Sequence, residues 1–314
     1  MKSELLHVVT AISNPVRWDS RINLYKQFEE HMLDSGVNLT VVECQYGERP
    51  HDLIPTNKFV NHIPVRAKTQ TWNKENLLNI GIARIPEAKY ICWSDADIEF
   101  RKNSWAADTV HALQQYDIVQ PWTDAYDLGP NDEHIQAHKS FCYQWWNRQP
   151  VIPNQKNFWK HDGGPYAYPH TGFCWAANRV TLEWLGGLLD ICAMGSADHH
   201  MALSLIGEVD RSVPGGVTQG YLAHLKRWEA RALRHVNKNI GFVWGTIEHF
   251  FHGRKTDRKY IDRWDMFVKH QFNPDNDLKR NSYGVYEFAG NKPDLQHEWD
   301  LYLRNRNEDT NTLN

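Results

Sequence analysis

The sequence lacks the cysteine pattern of a stapled or zinc-bound protein. Its five cysteines, Cys44, Cys92, Cys142, Cys174 and Cys192, are odd in number, scattered, and contain no C-x-x-C, so neither a disulfide framework nor a zinc site is signalled. No apolar run approaches the roughly 20 residues of a membrane span. Neither charge sign dominates: 35 Lys+Arg against 38 Asp+Glu leave −3 over 314 residues. That removes the global basic charge of small nucleic-acid-binding domains, while local basic patches remain possible. The apolar stretch Leu5 to Ile12 is interrupted by His7 and Thr10, with no small-residue cleavage site behind it. A first buried strand explains it better than a secretory signal, and a cytoplasmic location is expected. What the chain has in quantity is tryptophan, 14, and histidine, 17. Indole stacks on rings, and imidazole binds metals or moves protons.

The first 120 residues alternate strand and helix signals. Strands are expected at Val8 to Ile12, Leu39 to Cys44, Phe59 to Val65, Lys89 to Ser94 and Asp117 to Gln120, with helices at about Asp19 to Leu33, Asn73 to Arg84 and Trp105 to Tyr116. This alternation predicts an α/β fold with a mixed, mostly parallel sheet flanked by helices. From Pro121 to about Pro169 periodicity fades and Trp122, Trp145, Trp146 and Trp159 lie among Pro, Gly, Asn and Asp, which reads as a functional excursion and not a linker. Beyond it come a strand at Gly172 to Ala177, helices at Arg179 to Leu185 and from near Asp198, a basic amphipathic helix at Tyr221 to Arg234, and a strand at Gly241 to Ile247. The expected organisation is one catalytic domain over 1–258, with a substrate-loop insertion at 122–170, and a C-terminal extension over 259–314 packed on the same domain.

Asp95-Ala96-Asp97 follows the KYICWS strand, at the edge where such sheets present ligands. Two carboxylates one residue apart can reach one hard divalent cation, or one can hold the metal and the other a ribose hydroxyl. A turn capped by aspartates accounts for the same pair. Upstream stands the helix Trp72-Asn73-Lys74-Glu75-Asn76-Leu77-Leu78-Asn79-Ile80-Gly81; downstream stand Gly172-Phe173-Cys174-Trp175, Leu185-Gly186-Gly187 and Gly195-Ser196-Ala197-Asp198-His199-His200.

This ordered set, over roughly Val8 to Arg258, resembles the nucleotide-sugar glycosyltransferases of the Rossmann-like GT-A fold. It looks most like the galactosyltransferase-type catalytic half, with F-N-R-x-x-L-x-N-x-G, D-x-D, N-G-F and G-x-E-D-D in that order. It is also similar to bacterial and phage-encoded proteins assigned to glycosyltransferases that share the ADHHMA and HGRK stretches. The resemblance implies that Asp95 and Asp97 hold a metal, Mn²⁺ or Mg²⁺, together with the donor's diphosphate and ribose. Asn73, Lys74 and Asn79 fall on its donor-binding helix, with Lys74 where the family has Arg, and Glu43 matches an acid set against the nucleotide base. Asp198 aligns with the general base toward the acceptor hydroxyl. Ala197 replaces the preceding family Glu, and His199 and His200 replace the following acids, so the acceptor is held differently. A downstream imidazole completes the metal site in such enzymes, and His252, then His249, are the candidates.

Imidazole with carboxylate suits Mn²⁺ somewhat better than Mg²⁺. Arg254, Lys255, Arg258 and Lys259 form a basic run able to clamp diphosphate or to face solvent. Trp145, Trp146 and Trp159 can stack on a sugar face, pack under a loop, or hold a nucleobase. The expected function is sugar transfer from a nucleotide-diphosphate donor, with UDP favoured, to a hydroxyl acceptor, with a saccharide favoured. A hydroxymethylated DNA base as acceptor and a carbohydrate-binding protein without turnover are the two alternatives.

Overall fold

The computed structural model describes residues 3–53, 57–152, 169–260 and 262–313. β1 (Leu6–Ser13) pairs in parallel with β2 (Asn38–Tyr46) and β4 (Tyr90–Ser94), and β2 with β3 (Val60–Ala67). β9 (Cys174–Asn178) runs antiparallel between β4 and β6 (Ile118–Gln120), and β10 (Ile240–Phe242) closes the edge parallel to β6. The result is the mixed, mostly parallel sheet expected from the sequence, in the order β10-β6-β9-β4-β1-β2-β3.

Side chains alternate across a strand, and both faces of this sheet are dry. Val9, Ile91, Trp93 and Ala177 enter one core, while their neighbours Val8, Cys92 and Ala176 enter the other. Burial on both faces is why these strands read as near-continuous apolar runs. α1 (Asp19–Asp34) and α3 (Trp105–Ala112) cover one face through Tyr25, Phe28, Met32, Trp105 and Val110. The opposite face is covered by α2 (Lys74–Ala83) and by the helices Arg179–Leu185, Ala197–Ile206 and Gln219–His235. α2 lies close to the strands because Gly81 has no side chain: a Cβ there would meet Val9 Cγ1 at 2.6 Å and Val42 Cγ2 at 2.9 Å.

A second sheet, β5-β11-β7-β8, stands beyond the carboxyl end of β4. It contains β5 (Ile98–Phe100), β7 (Asp124–Leu128), β8 (His134–Lys139) and β11 (Thr246–His249). Two expectations are corrected here. The stretch read as irregular after Pro121 holds the β7–β8 hairpin and the short helix α4 (Phe141–Trp146). The single strand expected over Gly241 to Ile247 is two, β10 in the first sheet and β11 in the second, because the chain crosses between sheets at the exposed Trp244. The last part of the chain adds the helices Arg263–Lys269 and Pro293–Arg304 and the hairpin β12 (Leu278–Arg280)–β13 (Tyr286–Phe288). Among the described residues no helix is long and apolar enough to cross a membrane.

Candidate functional site

Strand register assembles the site. β9 is antiparallel to β4 with Ser94 opposite Cys174, so the chain entering β9 passes the chain leaving β4, and Asp95 N donates to Phe173 O at 2.8 Å. In the second sheet His249 lies opposite both Ile98 and Asp127, and Phe250 N donates to Asp97 O at 2.9 Å. Two ladders therefore deliver His249 to Asp97.

Asp97, His249 and His252 offer ligand atoms that all lie within 4.8 Å of one another. Asp97 Oδ2 is 3.0 Å from His252 Nε2 and 3.7 Å from His249 Nε2, and the two Nε2 atoms are 3.3 Å apart. Asp97 Oδ1 is buried with no hydrogen-bond partner. Behind them, Asp127, 2 % exposed, sets its Oδ1 2.6 Å from His249 Nδ1 and its Oδ2 2.5 Å from His138 Nε2, and Lys255 Nζ donates to the same carboxylate. A carboxylate on the far nitrogen of a ligating imidazole fixes which nitrogen faces the metal. Burial alone would raise Asp97; the two imidazoles hold it well below the usual carboxylate range. Burial alone would lower His249, and Asp97 followed by Asp127 raises it to about 9.

The triad lies on a cavity of about 340 Å³. Lys74, the first residue of α2, reaches across it, with Nζ 2.9 Å from Asp95 Oδ1 and 3.7 Å from Glu75 Oε1. Burial pushes Glu75 up to about 7, and Asp198 adds to the rise while Lys74 opposes it. Asp198, in the first turn of the helix Ala197–Ile206, lines the same cavity. Its Oδ2 sits 2.9 Å from where Gly172 would carry a Cβ, so a side chain at Gly172 would push the carboxylate aside.

The cavity thus brings together Asp95, Asp97, His249, His252, Asn73, Lys74, Lys255, Asp198 and His199 from the sequence-based set. Asp95 is engaged by Lys74 and is not among the three converging ligands. Burial lowers His199 to about 4, against the pull of Asp198. Other expected residues lie elsewhere. Glu43, 1 % exposed, accepts from His62, Gln45 and the backbone of Asp52 and Leu53. Asn79 Oδ1 accepts from Leu188 N at 2.8 Å and its Nδ2 donates to Leu188 O at 2.9 Å, which ties α2 to the Gly186-Gly187 turn. His200 is fully buried between Ser212 Oγ at 2.7 Å and Tyr221 OH at 3.0 Å. Arg254 pairs with Asp257 at 2.9 Å. Trp145 packs half-buried against the main core, and Trp146 stands exposed with its ring edge-on to Phe242; Trp159 lies outside the described residues.

Sequence reasoning reached one wall only in part, through Arg258 of the basic run and Trp72 of the donor-helix motif, and missed Arg21, Tyr260, Arg263 and Arg306. Arg21, Trp72, Arg258, Tyr260, Arg263 and Arg306 also line the cavity. Arg306 lies over one indole, that of Trp72, at 4.7 Å, and Arg21 over the same ring at 5.7 Å. Both guanidinium groups bond to Glu308, Arg21 Nε to Oε2 and Arg306 Nε to Oε1, each at 2.6 Å. Glu308 Oε2 is also 3.8 Å from His252 Nδ1. Asp127, buried behind His249 on β7, carried no sequence signal of its own.

No family model matches the sequence, and no curated protein matches it. Among solved structures the chain is similar to a Drosophila β-1,4-galactosyltransferase 7 mutant in complex with manganese, UDP-Gal and xylobiose. That alignment covers 92 % of this chain and 96 % of the other at 11 % identity, with a TM-score of 0.41. It is also similar to a mannosyltransferase from Pyrobaculum calidifontis in complex with GDP-Man and Mn²⁺, over 74 % of this chain and 62 % of that one, at 17 % identity and a TM-score of 0.36. A third is residues 1–349 of S. aureus TarS, over 74 % and 73 % at 10 % identity, with a TM-score of 0.33.

Proposed function

We propose that the chain is a metal-dependent glycosyltransferase that moves a sugar from a nucleotide-diphosphate donor, with UDP favoured, to a hydroxyl acceptor, with a saccharide favoured. The observation that carries this reading is the meeting of Asp97, His249 and His252 with Lys74–Asp95 and Asp198 on one cavity.

The residues present fit a divalent cation. Asp97 Oδ1 is a buried acceptor with nothing to accept, and two imidazole nitrogens converge on the same carboxylate. One carboxylate and two imidazoles suit Mn²⁺ better than Mg²⁺, which prefers oxygen alone. Asp97, His249 and His252 would hold the ion, which supplies positive charge against the diphosphate as the bond to the sugar breaks. Lys74 adds a fixed cation beside Asp95 to the donor side of the cavity. Asp198 removes the acceptor hydroxyl's proton while that oxygen attacks the anomeric carbon and the nucleoside diphosphate departs with the old bonding pair. The proton rests on Asp198, which returns it to water.

A saccharide acceptor is favoured over duplex DNA because much of the basic surface is internally engaged. Lys226 pairs with Asp210 and Glu229, Arg254 with Asp257, and Lys255 with Asp127.

Thermal shift against a panel of nucleotide sugars, with and without Mn²⁺, tests the donor. A true donor at about 100 times its Kd stabilises by about 2.7 kcal/mol. Asp97→Ala should lower metal-dependent transfer by about 10²–10³-fold, in the range set by loss of electrostatic stabilisation. Full transfer by that variant would refute the metal assignment.

A further inference from the structure

The cavity wall beside His252 is rich in guanidinium groups and poor in ion-paired carboxylates. Four guanidinium groups line it, those of Arg21, Arg258, Arg263 and Arg306. Glu308 serves two of them, Arg21 and Arg306. Arg258, 4 % exposed, spends its terminal nitrogens on Tyr260 OH at 3.1 Å and on the carbonyls of His252 and Gly253, and its Nε is buried without a hydrogen-bond partner. Arg263, 6 % exposed, donates to Ser196 Oγ at 2.9 Å and lies 5.2 Å from the Tyr260 ring centroid. Among the described residues no ion pair joins either Arg258 or Arg263 to a carboxylate.

A buried guanidinium without a counter-ion is costly, and proteins pair or ligate such groups. Guanidinium is also the side chain whose forked donors match an oxyanion. The place is specific too. Arg263 reaches Ser196, two residues before Asp198, so it flanks the group assigned to the acceptor hydroxyl. The donor side has its own cation in Lys74.

Resting on the glycosyltransferase reading above, we infer that the acceptor carries a small oxyanion, a phosphate monoester or a carboxylate, and that Arg258 and Arg263 receive it beside Asp198. Both arginines are enclosed, so a terminal group on a small or oligomeric saccharide reaches them and the backbone of a duplex does not.

The protein saturated with UDP and Mn²⁺ is titrated by calorimetry with inorganic phosphate and, separately, with acetate, at constant ionic strength. Phosphate or acetate should bind on top of the nucleotide, and whichever binds tighter identifies the acceptor's group. Arg263→Gln and Arg258→Gln should each weaken that binding at least tenfold and change UDP affinity less than twofold. Arg263→Lys, which keeps the charge and guards against misfolding, should fall between. Phosphate that competes with UDP, or UDP affinity that drops in step with phosphate affinity, would overturn the inference by assigning the wall to the donor. Absence of binding by either anion, or displacement of phosphate by duplex DNA, would overturn it as well. Wild-type protein that ignores UDP–Mn²⁺ yet loses phosphate binding on Arg263→Gln would remove the donor reading and leave the anion site standing.

Discussion

At the strand tips, one carboxylate, Asp97, is faced by two imidazoles and backed through His249 by a second carboxylate, Asp127. Beside them, on the wall supplied largely by residues after Gly253, stand four guanidinium groups, two of which, Arg21 and Arg306, share one carboxylate, Glu308. The first wall gathers acceptors with a vacant lone pair at Asp97 Oδ1; the second gathers donors with an unused N–H at Arg258 Nε. One suits a cation and the other an anion. The difference also shows that each wall is held by a buried acid outside the immediate contact: Asp127 orients an imidazole, and Glu308 keeps two like charges together.

Removing each acid tests that parallel. Glu308→Ala should have the larger effect, because it leaves the buried Arg306 and the half-buried Arg21 without their shared counter-ion. A loss of about 3–5 kcal/mol is expected, read by denaturant unfolding. A change below about 0.5 kcal/mol would mean the wall is held by packing alone. Asp127→Asn should leave the fold intact and weaken Mn²⁺ binding by about 10–100-fold, measured by calorimetry without any substrate. If affinity is unchanged, the two acids do not play matching parts.

A third effect concerns a residue outside both walls. His7, whose Nε2 is 2.8 Å from Thr40 Oγ1, is lowered from 6.5 to about 4, by burial first, with Arg179 assisting and Glu87 opposing. The unfolded chain takes up the proton near pH 6.5 and the folded one resists it until about pH 4. Stability is therefore unaffected by this group above pH 6.5 and declines between pH 6.5 and 4, by at most about 1.4 kcal/mol per pH unit. His7→Gln should flatten that part of the unfolding profile; an unchanged slope would assign the acid sensitivity to the two walls.

The strand-tip wall was largely legible because its information is local. Asp95 and Asp97 directly follow the KYICWS strand, while His249 and His252 were singled out by the resemblance to GT-A glycosyltransferases, whose metal site takes a downstream imidazole. Local pattern also proposed the sheet, since period-2 burial and short helices write themselves into the sequence. Of the other wall, the basic run gave Arg258 and the donor-helix motif gave Trp72, and the rest was not legible. Arg21 and Glu308 are 287 residues apart, and neither carries a signal until the chain end is folded against α1. Residues with two chemical uses misled in the same way. His200 has the composition of a site residue, and only its contacts with Ser212 and Tyr221 turn it into a core hydrogen-bonding hub. Asn79 resembles a ligand contact in sequence and is a clamp on the backbone of Leu188.

The pairing of β11 has a further consequence. His249 sits where it does only because β11 is registered against both β5 and β7. The connection from β10 to β11 is three residues, Val243, Trp244 and Gly245, with the indole exposed. Adding one residue after that connection while the flanking ladders hold would bring Glu248 to the spot His249 occupies, since a one-residue slip exchanges the faces of a strand. The ion environment would then trade a nitrogen for an oxygen. Under the proposed function, indel length at this short crossover is therefore a lever that shifts the candidate cation site toward harder ions such as calcium or magnesium.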